Sequence, residues 1–316
     1  MKISGFTFTR NVSKLYYPIC ESIQSILPIV DEFVVALGKG DEDDNTRELL
    51  ESINSPKIKI IETEWDLKAF PHGTEYAHQT DIAKSHCSGD WLFYIQADEV
   101  VHEDDLPKIK SRCEELLHNE KVEGLLFKYR HFFADYDHYI NHHGWYQNEV
   151  RIVRNLPNIH SFGDAQSFKR IENFDGKNYR TKEEAYALNV AAVDAYIFHY
   201  GWVRPPEYMQ SKKKAMDSAY KDKQTVDAIY ENQEASFDYG PLKHLPLFKG
   251  THPKVMKEKM KDFSWGHQLN YTTMKRPDRP KFKHEKLKYR IISFLERNLN
   301  GGKHYFGFKN WKLILK

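Results

Sequence analysis

The sequence predicts an α/β protein whose mostly parallel sheet is followed by an α+β extension and a basic helical tail. Three observations carry this. Strand-like and helix-like segments alternate over the first 120 residues, which implies right-handed crossovers between parallel strands. From Val122 the pattern changes to longer apolar runs separated by polar loops. From Lys275 to Lys316 there are 13 Lys and Arg against 3 Asp and Glu, a net of +10; the rest of the +2 chain therefore carries −8.

Lys2–Phe8 is a short β-rich run. Pro18 opens a stretch with Ile19, Ile23, Ile26 and Leu27 at helical spacing, and proline is tolerated in a first turn. Glu32–Leu37 reads as a buried strand, Gly38–Asp44 as a loop, and Thr46–Ile53 as a helix with Leu49, Leu50 and Ile53 on one face. Lys57–Ile61 is the third strand. A helix over Tyr76–His86 leads to the fourth, Trp91–Ile95. Asp104 and Asp105 start a further helix that ends near His118.

Beyond it, Gly124–Phe133, Glu149–Val153 and Asn189–His199 are strand candidates. Pro205–Glu234 and Pro253–Asp262 read as helices. Lys281–Asn298 forms a basic amphipathic helix, with Leu287, Ile291, Leu295 and Leu299 at i+4 spacing.

Composition narrows the function. At 316 residues, 40% hydrophobic and 29% charged, the chain is globular, with one large or two modest domains. No 18-residue apolar run offers a membrane span. The first ten residues lack signal-peptide design, and Cys20, Cys87 and Cys113 lie far apart, so a reduced cytoplasmic setting is expected. An acidic body without a nucleic-acid motif argues against nucleic acid as a partner. The basic tail, residues 275–316, suits contact with the inner face of a membrane or an anionic glycan, and equally a solvated amphipathic helix docked on the catalytic domain.

The segment Gly89-Asp90-Trp91-Leu92-Phe93-Tyr94-Ile95-Gln96-Ala97-Asp98-Glu99 carries the clearest chemistry. A glycine turn launches an apolar strand that ends in carboxylates. Open α/β sheets bind ligands at the carboxyl ends of their strands, so Asp98 and Glu99 stand at a site edge. A hard cation such as Mg²⁺ or Mn²⁺ takes one or two protein carboxylates and leaves its other positions to phosphates and water. His199, closing an apolar strand ahead of Gly201 and Arg204, suits a late metal or phosphate contact. Arg204 offers bidentate hydrogen bonds to a diphosphate. The loop His131–His143 holds four His and two Asp but lacks the tight spacing of a zinc site; it reads as an acceptor-facing lid.

Four features together resemble the family-two glycosyltransferases, which carry the nucleotide-sugar-binding GT-A fold. These are the strand–Arg10–Asn11 start, Asp31-Glu32-Phe33-Val34-Val35 with its Gly/Asp/Thr loop, the Gly89-Asp90-Trp91 strand, and that strand's acidic end. The resemblance covers about residues 1–120 well and extends more loosely to Arg204. It implies a GT-A-like catalytic domain over 1–204, with a Rossmann-type nucleotide half (1–120), an acceptor and metal half (121–204), and a helical C-terminal extension (205–316).

The sequence departs from the family at Ala36 and Leu37, where aspartates are usual, and at Gln96, the first position of the Asp-x-Asp metal motif. The resemblance further implies donor contacts from Thr9, Asn11, Gly38, Asp41, Asp44, Gln96 and Arg204. It puts Mn²⁺ or Mg²⁺ on Asp98 and His199. Asp164 is implied as the general base, with Glu149 second.

The activity implied is inverting, metal-dependent sugar transfer from a nucleotide-diphosphate donor to a glycan or lipid-linked acceptor of the cell envelope. Two other readings stand beside it. One is a sugar-phosphate nucleotidyltransferase, which would want a glycine-rich loop after the first strand. The other is a catalytically degenerate domain serving as a glycan-binding scaffold.

Overall fold

A computed structural model describes residues 1–231, 233–272, 279–305, 307 and 309–316. Residues 275–278 of the basic tail lie outside the described residues. In chain order the elements are β1 (Ile3–Thr9), α1 (Ile19–Ile26), β2 (Glu32–Gly38), α2 (Thr46–Ser52), β3 (Ile58–Thr63), α3 (Thr74–Ser85), β4 (Trp91–Tyr94), β5 (Glu99–Val101) and α4 (Leu106–Leu116). The later half adds β6 (Gly124–Phe133), β7 (Tyr139–Ile140), β8 (Asn148–Arg154), β9 (Ile159–Phe162), β10 (Ser167–Ile171) and β11 (Ala185–Trp202). The chain closes with α5 (Pro206–Tyr220), α6 (Lys223–Tyr230), α7 (Lys257–Lys261), α8 (Leu287–Leu299) and β12 (Trp311–Leu315).

One sheet runs β3-β2-β1-β4-β8-β6-β11-β10-β9, with β5 and β12 also on β11 and β7 on β6. The pairs β3–β2, β2–β1 and β1–β4 are parallel, as the alternation predicts; β8 then enters antiparallel to both β4 and β6. The architecture is consistent with a GT-A Rossmann-like fold.

Side chains on successive strand residues point to opposite faces, and here both faces are buried. Phe33 and Val35 of β2, with Trp91 and Phe93 of β4, join Ile19, Ile23 and Ile26 of α1 in one core layer. Val34, Ala36, Leu92 and Tyr94 join Ala83 of α3 in the other.

The turn before β4 explains its Gly-Asp-Trp sequence. A Cβ on Gly89 would come within 2.7 Å of the Ser4 backbone nitrogen. Asp90 accepts the Lys2 amide at 2.7 Å and so fixes the edge of β1. Asp31 accepts the Ile3 amide (2.8 Å) and Glu32 the Ser4 hydroxyl (2.6 Å), so this acidic pair braces the strand starts rather than facing a ligand.

Three departures from expectation, and the turn that carries Asp164, have local settings. The helix expected over Pro205–Glu234 breaks at extended Lys221, and Asp222 caps α6 through the Thr225 amide at 2.9 Å. The segment around Asp164 is the turn of the β9–β10 hairpin, with Gly163 and Ala165 at φ +68° and +62°. The strand expected over Asn189–His199 is the middle of an 18-residue strand. The extension 205–316 is not wholly helical, because β12 returns to pair parallel with β11.

Candidate active site

Three strand ends build the site. At the carboxyl ends of β2 and β3 lies an open cleft of about 440 Å³, lined among others by Gly38, Asp41, Asp44, Arg47, Glu62 and Thr63. Gly38 is required there, since any Cβ would run into the Trp65 indole. Asn11, left-handed at φ +53°, accepts the Asp41 amide at 2.9 Å and donates its own amide to Asp44 at 3.3 Å. Asp41 also takes Lys14 at 2.7 Å, and the Lys14 hydrogen bond is the main cause holding its carboxyl below the usual range. Asn11, Gly38, Asp41 and Asp44 thus come together around one cleft. Thr9, by contrast, is buried at the end of β1 and does not line it.

The second element is a sealed corner at the tip of β4. Register puts His199 of β11 opposite both Glu99 of β5 and His131 of β6, next to the Asp98 turn. Asp98, His199 and Lys212 of α5 are each less than 10% exposed. Lys212 donates to Asp98 Oδ2 at 2.9 Å and to the Gly201 carbonyl at 2.8 Å. Burial alone would raise the Asp98 pKa, but the Lys212 charge, with that of Arg204, outweighs it and holds the carboxyl well below the carboxylate range. Burial lowers Lys212 to about 8, with the Arg204 charge adding and Asp98 opposing. A Cβ on Gly201 would lie 2.5 Å from His199 Nε2 and 2.8 Å from Asp98 Oδ2, so only glycine lets the backbone cross this corner.

The imidazole protons follow from the partners. His131 Nε2 faces the Tyr146 carbonyl at 2.8 Å and must donate. Burial lowers His131 to about 3, so its ring is neutral and Nδ1 accepts. The atom 3.0 Å away, His199 Nδ1, is then the donor. Burial likewise lowers His199 to about 4, which leaves its Nε2 as a lone pair 3.8 Å from Asp98 Oδ1. Two acceptors converge on one corner, and a second imidazole orients the first, as metal-ligating histidines are commonly held. This donor set fits Mn²⁺ or Mg²⁺. The cation standing at Asp98 in this structure is the Lys212 ammonium.

Arg204 is fully buried beside this corner. One of its nitrogens meets the Leu15 carbonyl and its guanidinium lies against Tyr17, 4.8 Å from the ring, but Nε and Nη2 have no hydrogen-bond partner of good geometry among the described residues. Unpartnered buried guanidinium donors are costly and invite an anion. Tyr17 also lies 5.0 Å from the Lys212 ammonium, so one aromatic ring serves both cations.

Gln96 links the corner to the third element by donating to the Ala165 carbonyl at 3.1 Å. Asp164 sits next to that carbonyl on the hairpin turn, half-buried, and accepts the Tyr220 hydroxyl at 2.5 Å.

Two expected carboxylates prove to be structural. Glu99 turns inward to a bidentate pair with Arg151 (2.8 and 2.8 Å) and the Tyr129 hydroxyl (2.7 Å). Glu149 is buried, with Ser167 (2.7 Å) on one oxygen and Gln166 (3.3 Å) and Asn310 (3.1 Å) on the other. With both oxygens engaged, Glu149 ties β8 to β10 and to the C-terminal segment rather than offering a base. The histidines of the 131–143 loop disperse: His131 goes to the corner, His138 to Asp135 at 2.9 Å, and His143 to Glu296 at 2.7 Å.

Lys212, Tyr17, His131 and Tyr220 belong to the site but were not singled out from the sequence as site residues. Lys212 had a signal. It falls at i+3 from buried Met209 on the face of α5 that turns inward, where a lysine needs a buried partner.

No family model matches the sequence, and no curated protein matches it. Several solved structures are loosely similar. S. aureus TarS is 14% identical with a TM-score of 0.41, over 72% of this chain and 42% of TarS. TarS 1-349 in complex with UDP is 17% identical with a TM-score of 0.38, over 72% and 69%. Glucosyl-3-phosphoglycerate synthase from Mycobacterium tuberculosis, in complex with Mn²⁺, UDP and glucosyl-3-phosphoglycerate, is 20% identical with a TM-score of 0.29, over 41% and 44%. The chain thus spans less than half of TarS and of that synthase. At these scores the fold rests on the strand order itself.

Proposed function

We propose that this chain is a glycosyltransferase that moves a sugar from a nucleotide-diphosphate donor to a hydroxyl acceptor, with inversion at the anomeric carbon. The observation that supports it most is the tip of β4. There the unpartnered donors of Arg204 and the converging acceptors of Asp98 and His199 lie where an open α/β sheet receives its ligand. The nucleoside would occupy the cleft at Gly38–Asp44.

As the acceptor oxygen attacks the anomeric carbon, its proton passes to the Asp164 carboxylate, oriented by Tyr220. The bond from the anomeric carbon to the diphosphate breaks, and its electron pair leaves with the diphosphate. Arg204 and Lys212 supply the positive charge that meets it. A divalent cation held by Asp98 and His199 would add Lewis-acid neutralisation of the same leaving group. The acceptor is a glycan or lipid-linked glycan of the cell envelope, with residues 275–316 on the membrane side.

A second reading, a glycan-binding scaffold without catalysis, draws on the buried Lys212–Asp98 pair that fills the ion's place. Melting temperature with UDP, alone and with Mn²⁺, separates the two. Catalytic binding predicts a rise of about 4 °C at a hundredfold excess over Kd, followed by turnover on a donor-sugar hydrolysis panel. No shift with any nucleoside diphosphate and no hydrolysis would sink the enzymatic reading.

A further inference from the structure

α8 is amphipathic inside out. Its buried residues are polar: Ser293, which accepts the His143 amide at 2.8 Å, and Glu296, which accepts His143 Nδ1 and the Tyr305 amide, each at 2.7 Å. Five of its apolar residues face outward, with Leu287 68%, Phe294 58% and Leu299 73% exposed, joined by Ile291 and Leu295. Hydrogen bonds hold the helix on the body, so hydrophobic burial within the described chain does not explain its apolar face. A soluble surface rarely carries such a continuous stripe without a partner.

The flanking charge states the partner's sign. Between Lys281 and Lys303 there are seven Lys and Arg against two Glu. Of the two, Glu296 is buried and Glu285 is paired with Arg279 at 2.6 Å. Beside the stripe opens a cleft of about 350 Å³, whose lining includes His244, His284, Leu287, Arg290, Ile291 and Phe294. The Nε2 atoms of His284 and of neighbouring His142 are buried there without a hydrogen-bond partner among the described residues. Apolar walls lined also by cationic and imidazole groups match an amphiphile that has an anionic head.

We infer that α8 docks the protein on a bilayer carrying anionic phospholipid, with the apolar stripe in the acyl boundary and a lipid phosphate in the Arg290–His244–His284 cleft. The inference deepens the membrane-side placement proposed above and rests on it only for the choice of partner. Lengthwise, α8 lies in the membrane plane; no helix among the described residues is long and apolar enough to cross.

The test is co-sedimentation of the full chain, without donor, on vesicles of mixed phosphatidylglycerol and phosphatidylcholine and on phosphatidylcholine alone. Wild type should pellet with the anionic vesicles and be released between about 0.05 and 0.5 M salt. The triple variant Leu287→Gln/Ile291→Gln/Phe294→Gln and the pair Arg290→Glu/Arg297→Glu should each lose at least about tenfold in partitioning. All five positions are exposed, and an unchanged melting temperature would show that the fold is intact.

Wild type left in the supernatant, equal retention on neutral vesicles, or an undiminished triple variant would each overturn the docking. So would a wild-type oligomer that the triple variant converts to monomer, since the stripe would then be an interface between copies. Because no donor is present, a failed nucleotide experiment leaves this result standing, and the reverse holds as well.

Discussion

Asp98 and Asp164 lie on either side of Gln96 and make opposite use of the same functional group. Asp98 is sealed in, its charge met by Lys212 at 2.9 Å and by the nearby charge of Arg204. Asp164 sits half-buried on a hairpin turn and, among the described residues, accepts one hydrogen bond, from Tyr220. A carboxylate that anchors a cation gains from burial, because a low dielectric strengthens the attraction. One that accepts a proton from an incoming acceptor must be reachable and must not be locked to a permanent cation. The difference assigns electrostatics to one and proton transfer to the other.

The largest effect should come from the sealed partner. Asp98→Ala leaves the Lys212 ammonium buried without its counter-charge, and a broken buried pair of this kind costs about 3–5 kcal/mol. Urea unfolding at pH 6.5 should show that loss. It should shrink at pH 9, where Lys212, already lowered to about 8 by burial, sheds its proton and removes the unpaired charge. A variant as stable as wild type at both pH values would mean that the pair does not form.

Asp164→Asn should reverse the pattern. The amide keeps a carbonyl for the Tyr220 hydroxyl, so stability should change by no more than about 1 kcal/mol. Sugar transfer should fall by about 100-fold or more, while UDP binding holds. Transfer at wild-type rate would remove Asp164 from the reaction.

The contrast also separates what was legible in the sequence. The parallel strands could be read because their continuous apolar runs are local signals, as in Phe33-Val34-Val35-Ala36 and Trp91-Leu92-Phe93-Tyr94. The Asp98 corner was half legible. A strand ending in carboxylates marks it, and His199 closes another apolar run, but the choice between Asp98 and Glu99 depended on which side chain met Arg151, 52 residues away. Glu149 looked available for the same reason, since Ser167 and Asn310 come to it from distant segments. Lys212 stood in a run of three lysines, where composition suggests a solvated face. Only the helical phase set by Met209 distinguishes it from Lys213 and Lys214.

Lys212 also supplies the finest test of the comparison. If its ammonium and a divalent cation claim the same place on Asp98, the ion-competent state is populated only when Lys212 withdraws, and apparent metal affinity is reduced by that fraction. Lys212→Met keeps much of the side-chain volume, removes the competitor and leaves Asp98 seeking a cation. Mn²⁺ binding in the presence of UDP, followed by electron paramagnetic resonance, should then tighten by about tenfold. The melting temperature of the variant should rise more with Mn²⁺ than that of wild type, because the ion restores the lost counter-charge. An unchanged Mn²⁺ affinity would show that metal and ammonium do not share the corner. Asp98 would then be a purely internal ion pair, and the leaving diphosphate would depend on Arg204 for its positive charge.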